Sequence, residues 1–155
     1  MKTALLISTY NWVSALELVL KSVQKQVQLP DEILIADDGS KDETKRLIEE
    51  YKEQFSIPVS HIWHEDAGFR RSKILNKTIA SSTSDYIIQI DGDCIIHPYF
   101  VRDHIEIMEN QVFLYGSRVN IHKKGLNEVL KKKPFKFSFF SPLIKKRTRN
   151  VRLPF

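Results

Sequence analysis

EILIADDGSKDETKRLIEEY, residues 32–51, changes its apolar period halfway along. Ile33, Leu34 and Ile35 form a short run, partly β-branched, of the kind that fills a strand buried on both faces. Thr44, Leu47, Ile48, Tyr51 and, just beyond, Phe55 then recur at steps of three and four, which lays them along one face of a helix. Between the halves stand Asp37, Asp38, Gly39 and Ser40, a cluster of turn formers, with Ser40 or Asp42 suited to cap the helix. Strand, tight turn, helix is the building unit of a parallel sheet.

The unit recurs in both directions along the chain. TALLIS (3–8) precedes Leu16, Val19, Leu20, Val23 and Val27 at helical spacing, and IPVSHIW (57–63) precedes Ile74, Leu75, Thr78 and Ile79. DYIIQID (85–91) is the expected fourth strand, QVFLYGS (111–117) the fifth, with a helix around Pro98 to Asn110 between them. Such alternation predicts an α/β fold, a three-layer α/β/α sandwich with a mainly parallel sheet covered on both faces. The opening MKTALLISTY has a lysine and an apolar stretch, but ALLIS is too short for the apolar core of a secretory signal and reads as a first strand.

A length of 155 residues, 42% hydrophobic and 28% charged, fits one soluble domain with a real core. The net charge of +5 is unevenly held: residues 1–122 carry 13 Lys+Arg and 18 Asp+Glu, and residues 123–155 carry 11 and 1. Cys94 is the only cysteine, so an intrachain disulfide is excluded. With no signal and no apolar run long enough to span a bilayer, the expected location is the cytoplasm. Residues 131–152 hold nine Lys+Arg, no acid, and Phe135, Phe137, Phe139, Phe140, Leu143 and Ile144. That mixture can lie on an anionic membrane, here the inner face of the plasma membrane, or pack against further protein. Nucleic acid is a poor partner, given Pro134, Pro142 and no recognisable binding module.

Ligands of parallel α/β sheets bind beyond the carboxyl ends of the strands. The segments there are STYN (8–11), DDGS (37–40), HEDAGFRR (64–71) and DGD (91–93), which hold most of the unusual chemistry. Asp91 and Asp93 flank Gly92, whose missing side chain leaves room for a ligand to approach. Two carboxylates so close repel unless a cation compensates, and Mg²⁺ or Mn²⁺ takes one or two carboxylates while water and phosphate fill its other positions. The plainer reading is an acidic turn. Asp38 could accept from a base N–H or a ribose hydroxyl, Tyr10 beside Thr9 could stack on a base, and Asn11 could bond to backbone or ligand. Arg70, Arg71 and Lys73 could neutralise phosphate.

In their order and spacing these pieces resemble family 2 glycosyltransferases of the GT-A fold, the inverting class that uses nucleotide diphosphate sugars. The resemblance runs through LLISTYNW, QLPDEILIADDGSKDET and GFRRSKILNKTIASSTSDYIIQIDGDCIIHPYF, over roughly residues 3–117. It implies a Rossmann-like GT-A half at residues 1–120 that binds the donor, and the start of the acceptor-side region at 121–155. By position, Tyr10 and Asp38 would hold the base, with a lean to uracil. Asp91 would hold ribose or metal, Asp93 the metal, and Arg71, with Arg70 and Lys73, would lie near the nucleotide. Asn76 matches a recurrent asparagine. GFRRSKILN and DGDCIIHP look like bacterial enzymes that build surface polysaccharide or lipopolysaccharide, on a glycan or lipid-linked acceptor. His97 belongs to that pattern but reads better as a loop residue.

An inverting transfer needs a carboxylate to take the acceptor proton. After Asp93 the acids are Asp103, Glu106, Glu109 and Glu128, none in the context such a base occupies in the family, and relatives usually continue past this point. A non-catalytic module that binds a nucleotide sugar for a partner chain is therefore the alternative. A receiver-like signalling domain fits poorly, because TYN and not an acidic pair follows the first strand, and SRV and not a lysine the fifth.

Overall fold

The computed structural model describes residues 1–132 and 141–145, and the chain divides into two compact units, Met1–Ile107 and Met108–Phe155. That division falls ahead of the boundary expected at residue 120.

The first unit runs β1 (Thr3–Thr9), α1 (Val13–Gln24), β2 (Glu32–Asp37), α2 (Asp42–Lys52), β3 (Val59–Trp63), α3 (Arg71–Ser81), β4 (Tyr86–Asp91) and α4 (Phe100–Ile107). Its strands form one sheet in the order β3-β2-β1-β4, each neighbouring pair parallel. β1 has a neighbour on either side and all its residues are buried, which explains why TALLIST shows no polar alternation.

Side-chain alternation divides the core between the two faces. Leu5, Ile7, Ile33, Ile35, Ile88 and Ile90 pack with Leu16, Val19, Leu20 and Val23 of α1, Ile48 and Tyr51 of α2, and Val101 of α4. Ala4, Leu6, Leu34 and Ala36 face the other way, onto Ile74 of α3. The small Ala4 and Ala36 let that single helix settle close to the sheet. Parallel crossovers are right-handed, so α1 and α2, which carry the chain outward from β1 to β3, share one face. α3 carries the chain back past β1 to β4 and must take the opposite face. The α/β/α layering follows.

The chain after β4 is tied to the end of α1 by buried polar groups. The Gln26 amide donates to the carbonyls of His97 (2.8 Å) and Ser22 (3.1 Å), its oxygen accepts from the Val101 N–H (3.0 Å), and Ser22 Oγ accepts from the Ile96 N–H (3.2 Å). Residues 95–101 are thereby fixed in place of a longer helix, and α4 starts later and ends earlier than the expected Pro98 to Asn110.

Two expectations from sequence are corrected. α2 has Lys41 at its N-cap with no side-chain cap, because Ser40 spends its hydroxyl on the Asn11 N–H (2.9 Å); Asp42 and Glu43 in the first turn favour the helix dipole instead. The fifth strand over 111–117 does not form: residues 112–119 have no regular element, and Phe113 and Tyr115 stand 88% and 87% exposed. An apolar run becomes a strand only where a neighbour takes its backbone hydrogen bonds.

In the second unit β5 (Asn120–Ile121) pairs antiparallel with β6 (Ile144–Lys145), and α5 spans Lys123–Lys132. Val129 and Ile144 are buried there. Of the basic and aromatic stretch 131–152, only 131–132 and 141–145 lie within the described residues. Ile144, which the sequence leaves open to a membrane interface or to packing against protein, is buried. No helix among the described residues is long and apolar enough to cross a membrane.

Candidate functional site

The sheet grows from β1 to β2 to β3, then restarts on the other side of β1 with β4. At such a reversal the connections after the two neighbouring strands leave in opposite directions and a crevice opens beyond their carboxyl ends. A cavity of about 350 Å³ lies there, lined by Ser8, Thr9, Tyr10, Trp12, Ala36, Asp38, Phe69, Arg71, Ile74, Asp91, Gly92 and Asp93.

Its floor is the junction of β1 and β4, where Ser8 and Asp91 are partners in register. Ser8 Oγ donates to Asp91 Oδ1 (3.2 Å), and Arg71, the first residue of α3, pairs with the same Oδ1 while donating to Ser8 Oγ (3.1 Å). A cation thus already sits against one of the two acids. Gly92 donates its N–H to the Ser8 carbonyl at 2.7 Å, and a Cβ there would stand 2.8 Å from that oxygen and 3.2 Å from Thr9 Cβ. The close approach that requires this glycine comes from β1.

The side nearest β2 is built from the turn after that strand and the strap of residues 64–70. Asp37 is buried and structural: it accepts from the Ser40 N–H (2.8 Å) and bonds to His61 Nε2 (2.8 Å) on β3. Asp38 reaches the cavity, with one oxygen bonded to His64 Nε2 (2.8 Å) and the other accepting from the Arg70 N–H (3.0 Å). Gly39, at φ 97°, lies so close under Asp66 that a Cβ would come within 2.7 Å of its Cα. Tyr10 donates its hydroxyl to Asp66 (2.9 Å), and that bond holds the phenol above its ordinary pKa, with Asn11 pulling it partly back. Tyr10, Trp12 and Phe69 leave large parts of their rings exposed around the opening, offering faces on which a planar ligand can stack.

Of the sequence-predicted residues, Thr9, Tyr10, Asp38, Arg71, Asp91, Gly92 and Asp93 line the cavity. Asn11 bonds to backbone, accepting from the Lys41 N–H (2.9 Å), and so locks the first turn to the second. Arg70 turns its guanidinium to the Glu65 carbonyl. Lys73 and Asn76 are exposed on α3 outside the lining, and His97 is a loop residue stacked on Tyr99. Ser8, Trp12, His64, Asp66 and Phe69 were not singled out from sequence. All adjoin or lie within the quoted strand-end segments, which was the available signal.

For a divalent ion the donors are Asp91, Asp93 and Cys94, one atom from each lying within 4.8 Å of the others. The two carboxylates suit a hard ion that keeps most of its shell as water and phosphate. No comparable acid reaches the cavity from α4: Asp103 and Glu106 flank Arg102, at 3.8 Å and 3.1 Å.

Comparison with known proteins agrees with this geometry. The chain belongs to glycosyl transferase family 2, whose profile matches residues 4–154. Chondroitin synthase of Escherichia coli is 25% identical over 118 residues, 74% of this chain and 17% of that protein. Cholesterol galactosyltransferase of Borreliella burgdorferi is 23% identical over 133 residues, 81% of this chain and 36% of that protein. Among solved structures, S. aureus TarS 1–349 in complex with UDP superposes with a TM-score of 0.59 at 25% identity, covering 68% of this chain and 31% of that one. Mannosyltransferase PcManGT from Pyrobaculum calidifontis, with a TM-score of 0.55 at 21% identity over 67% of this chain and 30% of that one, shares the fold. The fold is therefore of the GT-A type, and the chain spans about a third or less of the length of these relatives.

Proposed function

We propose that this family 2 chain binds a nucleotide diphosphate sugar, with uracil as its base, in the crevice between β1 and β4. The sugar then passes with inversion to a hydroxyl of a glycan or lipid-linked acceptor in bacterial polysaccharide synthesis. The observation that carries the reading is the pair Asp91 and Asp93 at the end of β4, beside Arg71 and across from exposed aromatic rings. In this arrangement Tyr10 and Asp38 hold the base, and Asp91 takes the ribose or, with Asp93, a Mg²⁺ or Mn²⁺ ion. Arg71 adds N–H groups and positive charge toward the diphosphate. The bound ion supplies charge that offsets the negative charge of the departing diphosphate. The acceptor oxygen attacks the anomeric carbon as the bond from that carbon to the diphosphate oxygen breaks, and the acceptor proton goes to a base. Uracil is supported by the UDP held by TarS, and a polymeric acceptor by the name chondroitin synthase. The basic stretch 131–152 would suit a lipid-borne acceptor at an anionic membrane.

Calorimetric titration of UDP with and without Mn²⁺ tests the donor site. Metal-dependent binding that Asp93→Ala removes is expected; binding indifferent to metal, or unchanged by that substitution, refutes the reading. The pairing of Asp103 and Glu106 with Arg102 favours a second reading, a donor-binding module that leaves the base to a partner chain. Transfer or hydrolysis of a UDP-sugar by the isolated chain rejects it.

A further inference from the structure

The strap of residues 64–70 closes on a single carboxylate from both of its ends. His64, the first residue after β3, bonds through Nε2 to Asp38 Oδ1 (2.8 Å), and Arg70 donates its N–H to Asp38 Oδ2 (3.0 Å). The His64 and Asp38 side chains are largely withdrawn from water, at 13% and 6% exposure, so solvent weakens the bond between them little. The Asp38 backbone is tied as well, its N–H donating to the Thr9 carbonyl (3.1 Å). One residue earlier a similar pair occurs: Asp37 bonds to His61 Nε2 (2.8 Å) and accepts from the Ser40 N–H (2.8 Å). The two pairs differ in one respect, since Asp38 lines the cavity and Asp37 does not.

We infer that His64 is a positioning residue that acts through Asp38 to select the donor's base, uracil over cytosine. The inference rests on the donor reading above and deepens it. Facing an ionised carboxylate, the imidazole presents Nε2–H whether the ring is neutral or cationic. Together with the Arg70 N–H it holds Asp38 as an acceptor of fixed direction. Uracil meets such an acceptor with its N3–H. Cytosine has a bare, accepting N3 at the same place on its ring, and leaves the carboxylate facing a second acceptor. Cytosine does carry donors on its exocyclic N4, but one ring position away, and a carboxylate pinned at both oxygens cannot swing to meet them. Without the His64 N–H, Asp38 can turn toward that amine, or its released oxygen can take a proton from solvent and offer it to N3.

The test is calorimetric titration of UDP and of CDP, with Mn²⁺ present, into the full chain and its variants. The natural chain should prefer UDP by at least about a hundredfold, as expected of a site whose buried polar group is left unpaired by the wrong ligand. His64→Phe and His64→Leu, either of which suffices if it folds, remove the N–H and should shrink that preference by about tenfold or more, the order of a hydrogen bond to a charged group. His64→Gln, whose side-chain amide can donate from about the place of Nε2, should retain most of it. His61→Phe breaks the neighbouring pair and should lower the urea midpoint without moving the UDP-to-CDP ratio. A ratio unchanged by loss of the His64 N–H overturns the inference, as does one lost equally in His64→Gln or in His61→Phe. Absence of UDP binding by the natural chain removes the donor reading itself, whereas UDP binding with an unmoved ratio removes only the role of His64.

Discussion

Gly92→Ala perturbs both the fold and the site through one methyl group. Gly92 has no positive φ to protect, so the cost is steric. The new Cβ would stand 2.8 Å from the Ser8 carbonyl oxygen, where an unstrained carbon–oxygen contact is about 3.3–3.6 Å. The end of β4 must retreat from β1 by several tenths of an ångström, and the 2.7 Å bond from the Gly92 N–H to that oxygen stretches or breaks. Forcing an extra carbon into a packed junction costs about 1–3 kcal/mol and losing a hydrogen bond about 1 kcal/mol. Lower entropy of the unfolded alanine chain returns about 0.4–1 kcal/mol. A net loss of about 2 kcal/mol corresponds to a fall in Tm of about 8–16 °C for a unit of this size. Trp12 and Trp63 are the only tryptophans and both lie in the first unit, so their fluorescence during urea unfolding reports that unit alone. The same retreat moves Asp91 and Asp93 relative to Arg71, and metal-dependent UDP affinity should drop about tenfold or more. An unfolding midpoint equal to that of the natural chain would refute the reasoning, since it would mean that the two strand ends are not in contact.

Gly39→Ala and Gly68→Ala both place alanine at positive φ, but only Gly39 lies against the Asp66 backbone. The Gly68 variant should lose about 1–2 kcal/mol, the Gly39 variant more, with UDP binding weakened as the strap lifts; equal losses in urea melts would contradict this. Burial pushes the Tyr51 phenol up to about 12, with Glu17 and Glu50 adding to it. Its contribution is complete below about pH 10, the unfolded value, and is lost as pH rises toward the folded one, so Tyr51→Phe should flatten the alkaline decline in urea midpoint. Asp31 accepts from the N–H (2.7 Å) and hydroxyl (2.9 Å) of Thr3, which hold its carboxyl below the usual range. That contribution is present above the unfolded pKa of about 4 and lost as pH falls through the folded value; Asp31→Asn should flatten the acid limb of the same curve.

The order of elements was legible because each strand is a short apolar run and each helix an apolar stripe, signals confined to a few neighbouring residues. TALLIS and EILIAD needed no knowledge of the rest of the chain. QVFLYGS misled for the converse reason: its apolar content is real, but a strand also needs a partner's backbone, which a local pattern does not reveal. The strand-end rule places Tyr10, Asp38, Asp91 and Asp93 at one rim from sequence alone. It could not foresee that Ser8, Arg71 and Asp91 share one junction, because Ser8 and Asp91 are 83 residues apart and meet only through the reversal in strand order. His61 and His64 were hidden in the same way. Each bonds to an aspartate at the carboxyl end of the neighbouring strand, and which strand is the neighbour is a property of the whole sheet. Lys73 and Asn76 show the opposite failure, a sequence position beside a site residue but on another side of the helix.

The central place of β1 has a consequence for how the molecule is made. Of the four strands of this sheet, the one made earliest is the one that needs two neighbours, and its second, β4, lies more than eighty residues later, from Thr3 to Tyr86. A nascent chain that has joined β1 to β2 and β3 still carries one bare edge of a strand that is buried throughout in the finished fold, the kind of surface that invites pairing with another chain. Protection of that edge arrives only with the segment that also carries Asp91. Translation thus closes the bare side of β1 and lays the floor of the crevice in a single event.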